Sequence, residues 1–363
     1  MSMPYQMVKN PKNHDRIIYL ASLIFPSMKD YRFYLFFIAL SVNLVAAYVL
    51  YQLNRIFGLI FFSLLVVQSI SMVLLYLNYI GWPYDKWIST NIVDIDHVEI
   101  DTALEGEIIK ATVIRNKVHD PSKKHVGVLF HHGYTGKKEK IYKFAIPLAM
   151  NGCVVLCPDA RGHGESKKKP LNMSDFKGIM ADVEKEIDYL QELEDVDADK
   201  LAMMGHSMGG IMTLSAGYRD PRIKKLVAIS APYDMLKMFR KNKTIISRFI
   251  FFMVTRFIKK DPEFTASGES LEEWNKKISA KYAVQTESPF PDEERVYLAH
   301  CKNDDLVLFE ESVSLKDALN LPDENVLFLD KPEKKYIQAA HNLTGQTPLI
   351  ASFCVQVANS LKD

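Results

Sequence analysis

Net charge is nearly absent from this chain. Across 363 residues, 45 Lys and Arg face 44 Asp and Glu, a formal excess of one positive charge. No global basic surplus therefore calls for a nucleic-acid partner, and none is expected. Cysteine is also scarce, with four in all (Cys153, Cys157, Cys301 and Cys354), each beyond residue 150. That excludes a disulfide scaffold, and no Cys-x-x-Cys or Cys/His metal spacing occurs. Cys153 and Cys157, four apart in one apolar run, point the same way along a strand and are too distant to bridge. Four free thiols fit a reducing compartment. Glycine and proline, 16 of each, are too few for collagen-like or low-complexity chains.

The most informative absence is local. From Phe33 to Ile80 only Arg55 is charged, whereas the whole-chain proportion of 25% predicts about 12 charges there. The stretch divides at Gln52-Leu53-Asn54-Arg55 into apolar runs over 33–51 and 56–80, each long enough to cross about 30 Å of hydrocarbon as a helix. Tyr31, Tyr34, Tyr51, Tyr76, Tyr79, Trp82, Tyr84 and Trp87 gather at the ends as an interfacial aromatic belt does. A signal peptide is excluded because the apolar stretch starts late, runs long and is doubled. The reading is an integral membrane protein with two transmembrane helices. The shorter run Ile17–Phe25, ended by Pro26, is too short to span and suits the interface.

Orientation follows the basic residues. Residues 1–32 form a basic tail with Lys9, Lys12, Arg16, Lys29 and Arg32, and Lys86 follows the second run, while Arg55 alone occupies the connector. Both ends are thus expected on the cytoplasmic side, and the bulk of the chain with them; a single span would reverse this.

Beyond residue 91 the pattern changes. Short β-rich runs at His97–Asp101, Glu107–Arg115, Val126–His131, Cys153–Pro158, Lys200–Met204, Lys225–Ser230, Arg295–Ala299 and Asn325–Leu329 alternate with helical stretches. The helices are expected at Ile141–Asn151, from Ser174, at Ser207–Tyr218 and at Leu349–Leu361. This alternation predicts an α/β domain over 91–363: an antiparallel start, then a mostly parallel sheet with helices on both faces. The segment 234–293 contains no good strand and reads as a helical lid insertion. Within it, Lys241–Lys260 reads as a basic amphipathic helix, suited to packing on the core and to touching anionic lipid.

Chemistry concentrates where strands end. Gly205-His206-Ser207-Met208-Gly209-Gly210 lies between a predicted strand and a predicted helix. Glycines flanking a serine there permit a strained turn that lifts the hydroxyl clear of the sheet, with a helix N-terminus behind it. A serine hydroxyl needs a base, and the base an orienting carboxylate. The strand ending at Ala299 runs into His300-Cys301-Lys302-Asn303-Asp304-Asp305, and His341 follows the last strand. Ser207, then an acid, then His341 is the chain order of one particular fold. Adjacent His131 and His132 point opposite ways on a strand and do not suggest a metal pair. Lys167-Lys168-Lys169 reads as a solvated loop.

These motifs resemble the α/β-hydrolase family over about residues 97–361. His131-His132-Gly133-Tyr134 is similar to the family's oxyanion segment, which implies that the backbone N–H groups of Tyr134 and Met208 form the oxyanion hole. Pro158–Ser166 resembles the D-x-R-G-H-G-x-S loop of monoacylglycerol lipase-like esterases; a tight structural turn, not a base at His163, is its expected role. The family's Gly-x-x-Asp-x-x-Val pattern maps onto Asp304 and Val307, with Cys301 in place of glycine and Leu308 in place of the usual proline; Asp305 is the alternative acid. The resemblance implies a lipase-like serine esterase of hydrophobic acyl esters or thioesters, with catalytic Ser207, Asp304 and His341, an elbow of Gly205, His206 and Gly209, and neither metal nor organic cofactor. An acylaminoacyl-type peptidase and a non-catalytic interaction protein on the same fold are the alternatives.

Overall fold

The computed structural model describes residues 46, 48–52, 54–80, 92–102, 107–134, 136–166, 176–241, 248, 252, 256, 268–285, 288, 290–304, 306–330, 340–341, 343 and 346–362. The chain divides into two compact units, Met1–Pro83 and Tyr84–Asp363.

In the first unit the second apolar run forms helix α1, Arg55–Ile80, 26 residues long. Asn54 starts it, its side-chain oxygen accepting from the N–H groups of Ile56 (3.0 Å) and Phe57 (3.4 Å). The break therefore falls where the sequence divides the two runs. The expected pair of transmembrane helices finds no support here. The run 33–51 lies mostly outside the described residues. Among the described residues no helix is long and apolar enough to cross a membrane.

The second unit holds one eight-stranded sheet in the order β1-β2-β4-β3-β5-β6-β7-β8. Its strands are β1 (Val93–Asp101), β2 (Ile108–Asn116), β3 (His125–His131), β4 (Val154–Pro158), β5 (Val196–His206), β6 (Ile223–Ile229), β7 (Val296–Cys301) and β8 (Val326–Leu329). β1 pairs antiparallel with β2, and β2 with β4; every later pairing is parallel. This is the expected α/β arrangement. Its central strands are apolar on successive residues because both faces are covered. Leu129, Leu156, Leu201 and Met203 point to one core, whereas Val128, Phe130, Val155, Ala202 and Met204 point to the other.

The second core is roofed by α2 (Tyr142–Met150) and the C-terminal helix, which begins at Thr347 and places Ile350, Cys354 and Val357 inward. The first is covered by α3 (Phe176–Glu192), through one face of Ile179, Val183, Ile187 and Leu190. All four cysteines are buried free thiols, and Cys153 and Cys157 do share one core.

The insertion after β6 contains α5 (Met235–Lys241) and α6 (Leu271–Ile278), with α4 (Met208–Met212) preceding them in the chain. No strand occurs there among the described residues. Asp234 ties its base together: Asp234 accepts from Asn275 Nδ2 (3.0 Å), the Lys237 N–H (3.1 Å) and Lys281 Nζ (3.2 Å). The basic amphipathic helix expected over 241–260 lies outside the described residues except for 241, 248, 252 and 256, which are helical.

Candidate active site

β5 ends at His206, and the chain turns into α4 through Ser207, whose φ of 55° and ψ of −112° are unfavourable for a residue bearing a Cβ. Two bonds hold that turn. The Ser207 N–H donates to the Ile229 carbonyl (2.8 Å), and the Gly209 N–H to the His132 carbonyl (3.1 Å). The flanking glycines are required by packing: a Cβ at Gly205 would enter the Gly209 backbone, and one at Gly209 would enter the His131 carbonyl. Sequence reasoning expects this elbow, and the structure supplies its physical cause.

The ring of His341 lies between a hydroxyl and a carboxylate. Its Nε2 is 3.0 Å from Ser207 Oγ, and its Nδ1 is 2.8 Å from Asp304 Oδ2. Asp304 follows β7, and its other oxygen accepts from the N–H groups of Leu306 and Val307, both at 2.9 Å. The aspartate and the valine three residues later thus belong to one hydrogen-bonded turn. Burial opposes ionisation of Asp304, but His341 and the hydrogen bonds from His300 and His341 outweigh it and hold the carboxyl well below the usual range. Asp305 lies outside the described residues.

Chemically, an imidazole so placed can take a proton from the hydroxyl while the carboxylate steadies the resulting cation.

The segment 132–134 lies against the elbow: a Cβ at Gly133 would stand 3.2 Å from Ser207 Cβ. His132 fixes it. Its Nδ1–H donates to the Gly133 carbonyl (2.8 Å) and its Nε2 accepts from the Ala160 N–H (3.1 Å), so the ring is a neutral crosslink. Burial and neighbouring His163 push its pKa down to about 3. Tyr134 sits half-buried beside this strap, and Met208 opens α4. His131 turns elsewhere, to Glu186 of α3 at 2.7 Å, so the adjacent pair serves two different neighbours.

The Pro158–Ser166 loop is a turn held from several sides. Gly162 and Gly164 have φ of 73° and 47°. Asp159 accepts from the Lys138 N–H (2.6 Å), Lys138 Nζ (2.8 Å) and the Glu165 N–H (2.9 Å), while Arg161 grips Asp182 with two bonds of 2.7 and 2.8 Å. His163 donates from Nδ1 to the Arg161 carbonyl.

Sequence reasoning assigns no supporting bonds to His206 and His300. His206 Nε2–H donates to the His341 carbonyl (2.7 Å), and His300 approaches Asp304. Their adjacency to Ser207 and Asp304 is visible in the sequence, but their partners are not.

A family model described as "Serine aminopeptidase, S33" (Hydrolase_4) matches residues 122–317, more than half of the chain. The chain belongs to this family. It is a serine hydrolase family whose matched relatives include esterases and a lipase. Among curated relatives, this hydrolase is 31% identical over 110 residues to a thermostable monoacylglycerol lipase of Bacillus sp. (strain H-257), covering 30% of this chain and 42% of the relative. It is 27% identical over 200 residues to the esterase YjfP of Escherichia coli (strain K12), covering 53% and 74%. The first relatives matched are spanned over only 27–42% of their own length. An esterase of Pyrococcus furiosus superposes with a TM-score of 0.51 at 18% identity, covering 76% of this hydrolase and 95% of that chain, a likeness of fold.

Proposed function

We propose that this serine hydrolase cleaves carboxylic esters or thioesters of hydrophobic acyl groups by two-step acyl transfer to water. The observation that carries the reading is the single line of contacts from Ser207 through His341 to Asp304. Ser207 Oγ attacks the carbonyl carbon as His341 Nε2 takes its proton. The oxyanion is received by the N–H groups of Tyr134 and Met208, each worth roughly 3 kcal/mol in the transition state. His341 returns the proton to the departing alcohol or thiol, leaving an acyl-Ser207 ester. Water then attacks that ester with His341 again as base, releasing the carboxylic acid and restoring Ser207. Asp304 stays ionised throughout and steadies the imidazolium.

The acyl preference is argued from the monoacylglycerol lipase relative and the D-x-R-G-H-G-x-S loop. The membrane reading rests on the uncharged stretch and on α1, where Ile56, Phe57, Leu59, Ile60, Leu64 and Val67 are all more than half exposed. A bilayer is the partner those side chains suit. With two spans, six basic residues flank the cytoplasmic side and Arg55 the other, which puts the catalytic unit in the cytoplasm.

The test is hydrolysis by the full-length detergent-solubilised chain of a panel containing a monoacylglycerol, a lysophospholipid, an acyl thioester and an N-acylaminoacyl amide. Ester or thioester turnover that exceeds amide turnover is expected. Faster amide cleavage would favour the peptidase reading, which the family's description supports; no turnover of any member would favour a non-catalytic role. Protease added to sealed right-side-out vesicles should leave the catalytic unit intact, and its digestion would reverse the orientation.

A further inference from the structure

Orienting His341 requires one contact from Asp304, yet this carboxylate has polar partners on both oxygens. Oδ1 accepts from the Leu306 and Val307 N–H groups. Oδ2 faces His341 Nδ1 at 2.8 Å and, from another direction, His300 Nε2 at 3.2 Å. His300 lies near the end of β7, fully buried, with the Phe309 ring edge-on at 5.8 Å.

The proton on His300 can be located from its neighbours. Nε2 is 3.0 Å from the Val307 carbonyl as well as 3.2 Å from Asp304 Oδ2. Both are acceptors, so Nε2 carries the hydrogen. Nδ1 is then the acceptor of the Ser312 hydroxyl at 2.6 Å. The helix Phe309–Ala318 thereby sets the tautomer of a ring that reaches the acid of the site.

We propose that His300 is a positioning residue for the hydrolytic reaction, a second histidine that holds Asp304 Oδ2 at the rotation where it meets His341. The proposal rests on the acyl-transfer reading above. Besides the backbone N–H groups on Oδ1 and His341 on Oδ2, the His300 Nε2–H, bonded to the Val307 carbonyl at 3.0 Å, faces Oδ2 at 3.2 Å and adds a restraint on the carboxylate from the β7 side. Ser312 acts one step further back, by keeping the His300 hydrogen on Nε2. The chain of contacts then has five members: Ser312, His300, Asp304, His341 and Ser207.

The experiment measures kcat and KM of the full-length detergent-solubilised enzyme on p-nitrophenyl butyrate for wild type, His300→Leu, His300→Gln, Ser312→Ala, Asp304→Asn and His300→Leu combined with Asp304→Asn. Loss of a hydrogen bond to an ionised group predicts a roughly 10- to 100-fold fall in kcat for His300→Leu, at unchanged KM. Gln keeps an N–H at similar reach and should restore kcat to within about threefold of wild type. Because His300 acts through Asp304, the double variant should be no slower than Asp304→Asn alone. Ser312→Ala should fall between wild type and His300→Leu, and it decides the matter if His300→Leu does not fold.

Wild-type kcat in both His300→Leu and Ser312→Ala would overturn the proposal. So would equal impairment by Leu and Gln, or fully additive losses in the double variant. An inactive wild type would sink the acyl-transfer reading and this proposal with it, whereas an active wild type with unaffected variants sinks this proposal alone.

Discussion

His206 Nε2–H donates to the backbone carbonyl of His341 at 2.7 Å, so the residue in front of the serine holds the main chain of the histidine beside it. Burial, assisted by His341 and Lys143, pushes His206 down to about 3, leaving it a neutral donor near neutral pH. His206→Gln retains an N–H and is expected to keep most activity. His206→Leu is expected to lower kcat by roughly tenfold, because the His341 backbone loses its anchor. Steady-state kinetics on one ester distinguish the two.

The same burial makes the fold acid-sensitive. His206 and His132 both have native values of about 3 against an ordinary 6.5. Between those limits the unfolded chain binds protons that the native chain refuses, so stability falls as pH drops from about 6.5 towards 3. The ceiling is roughly 5 kcal/mol for each ring. Thermal midpoints measured from pH 7 to pH 4 should fall steeply, and His206→Gln should flatten the slope. An unchanged slope in that variant would contradict the assignment of a buried neutral ring.

Gly209→Ala places a methyl group inside the His131 carbonyl at a turn already bound to His132. Overpacking against backbone leaves no side chain to move aside, so a loss of about 3 kcal/mol or more is expected, with the serine displaced. Chemical denaturation measures the first effect and ester turnover the second.

Arg295 is fully buried, and among the described residues no carboxylate pairs with its guanidinium. Instead it donates to the carbonyls of Gly217 (2.9 Å), Tyr218 (2.6 Å), Asp220 (2.8 Å) and Ile223 (2.9 Å), closing the end of the helical segment behind Ser207. Arg295→Met strands several buried acceptors at once and should cost on the order of 3–5 kcal/mol. Denaturant midpoints check this, and a loss below about 1 kcal/mol would mean that water replaces the guanidinium.

Much of this architecture is legible in the sequence. Continuous apolar runs such as Val126–Phe130 and Cys153–Cys157 read as strands because both faces of the sheet are covered, and Gly205, Ser207 and Gly209 announce a turn too tight for side chains. The less legible features depend on partners far along the chain. β5 begins at Val196, earlier than the apolar run, because Val196 and Asp197 pair with His125 and Val126 before a register shift. The helix expected over Ser207–Tyr218 changes to a π-helical turn at Thr213–Gly217, which hydrophobic spacing does not encode. His132, His206 and His300 stand within or beside the motifs read from the sequence, but their hydrogen-bonding roles come from backbone and side-chain groups that only the fold brings near them.

The central claim is that Ser207 is the nucleophile activated by His341. Its most direct test is labelling of the full-length detergent-solubilised chain with a fluorophosphonate probe, followed by peptide mapping. The account predicts a single adduct on Ser207, absent from Ser207→Ala and at least about a thousandfold slower to form in His341→Ala. An adduct elsewhere, equal labelling of Ser207→Ala, or no labelling of wild type would contradict it.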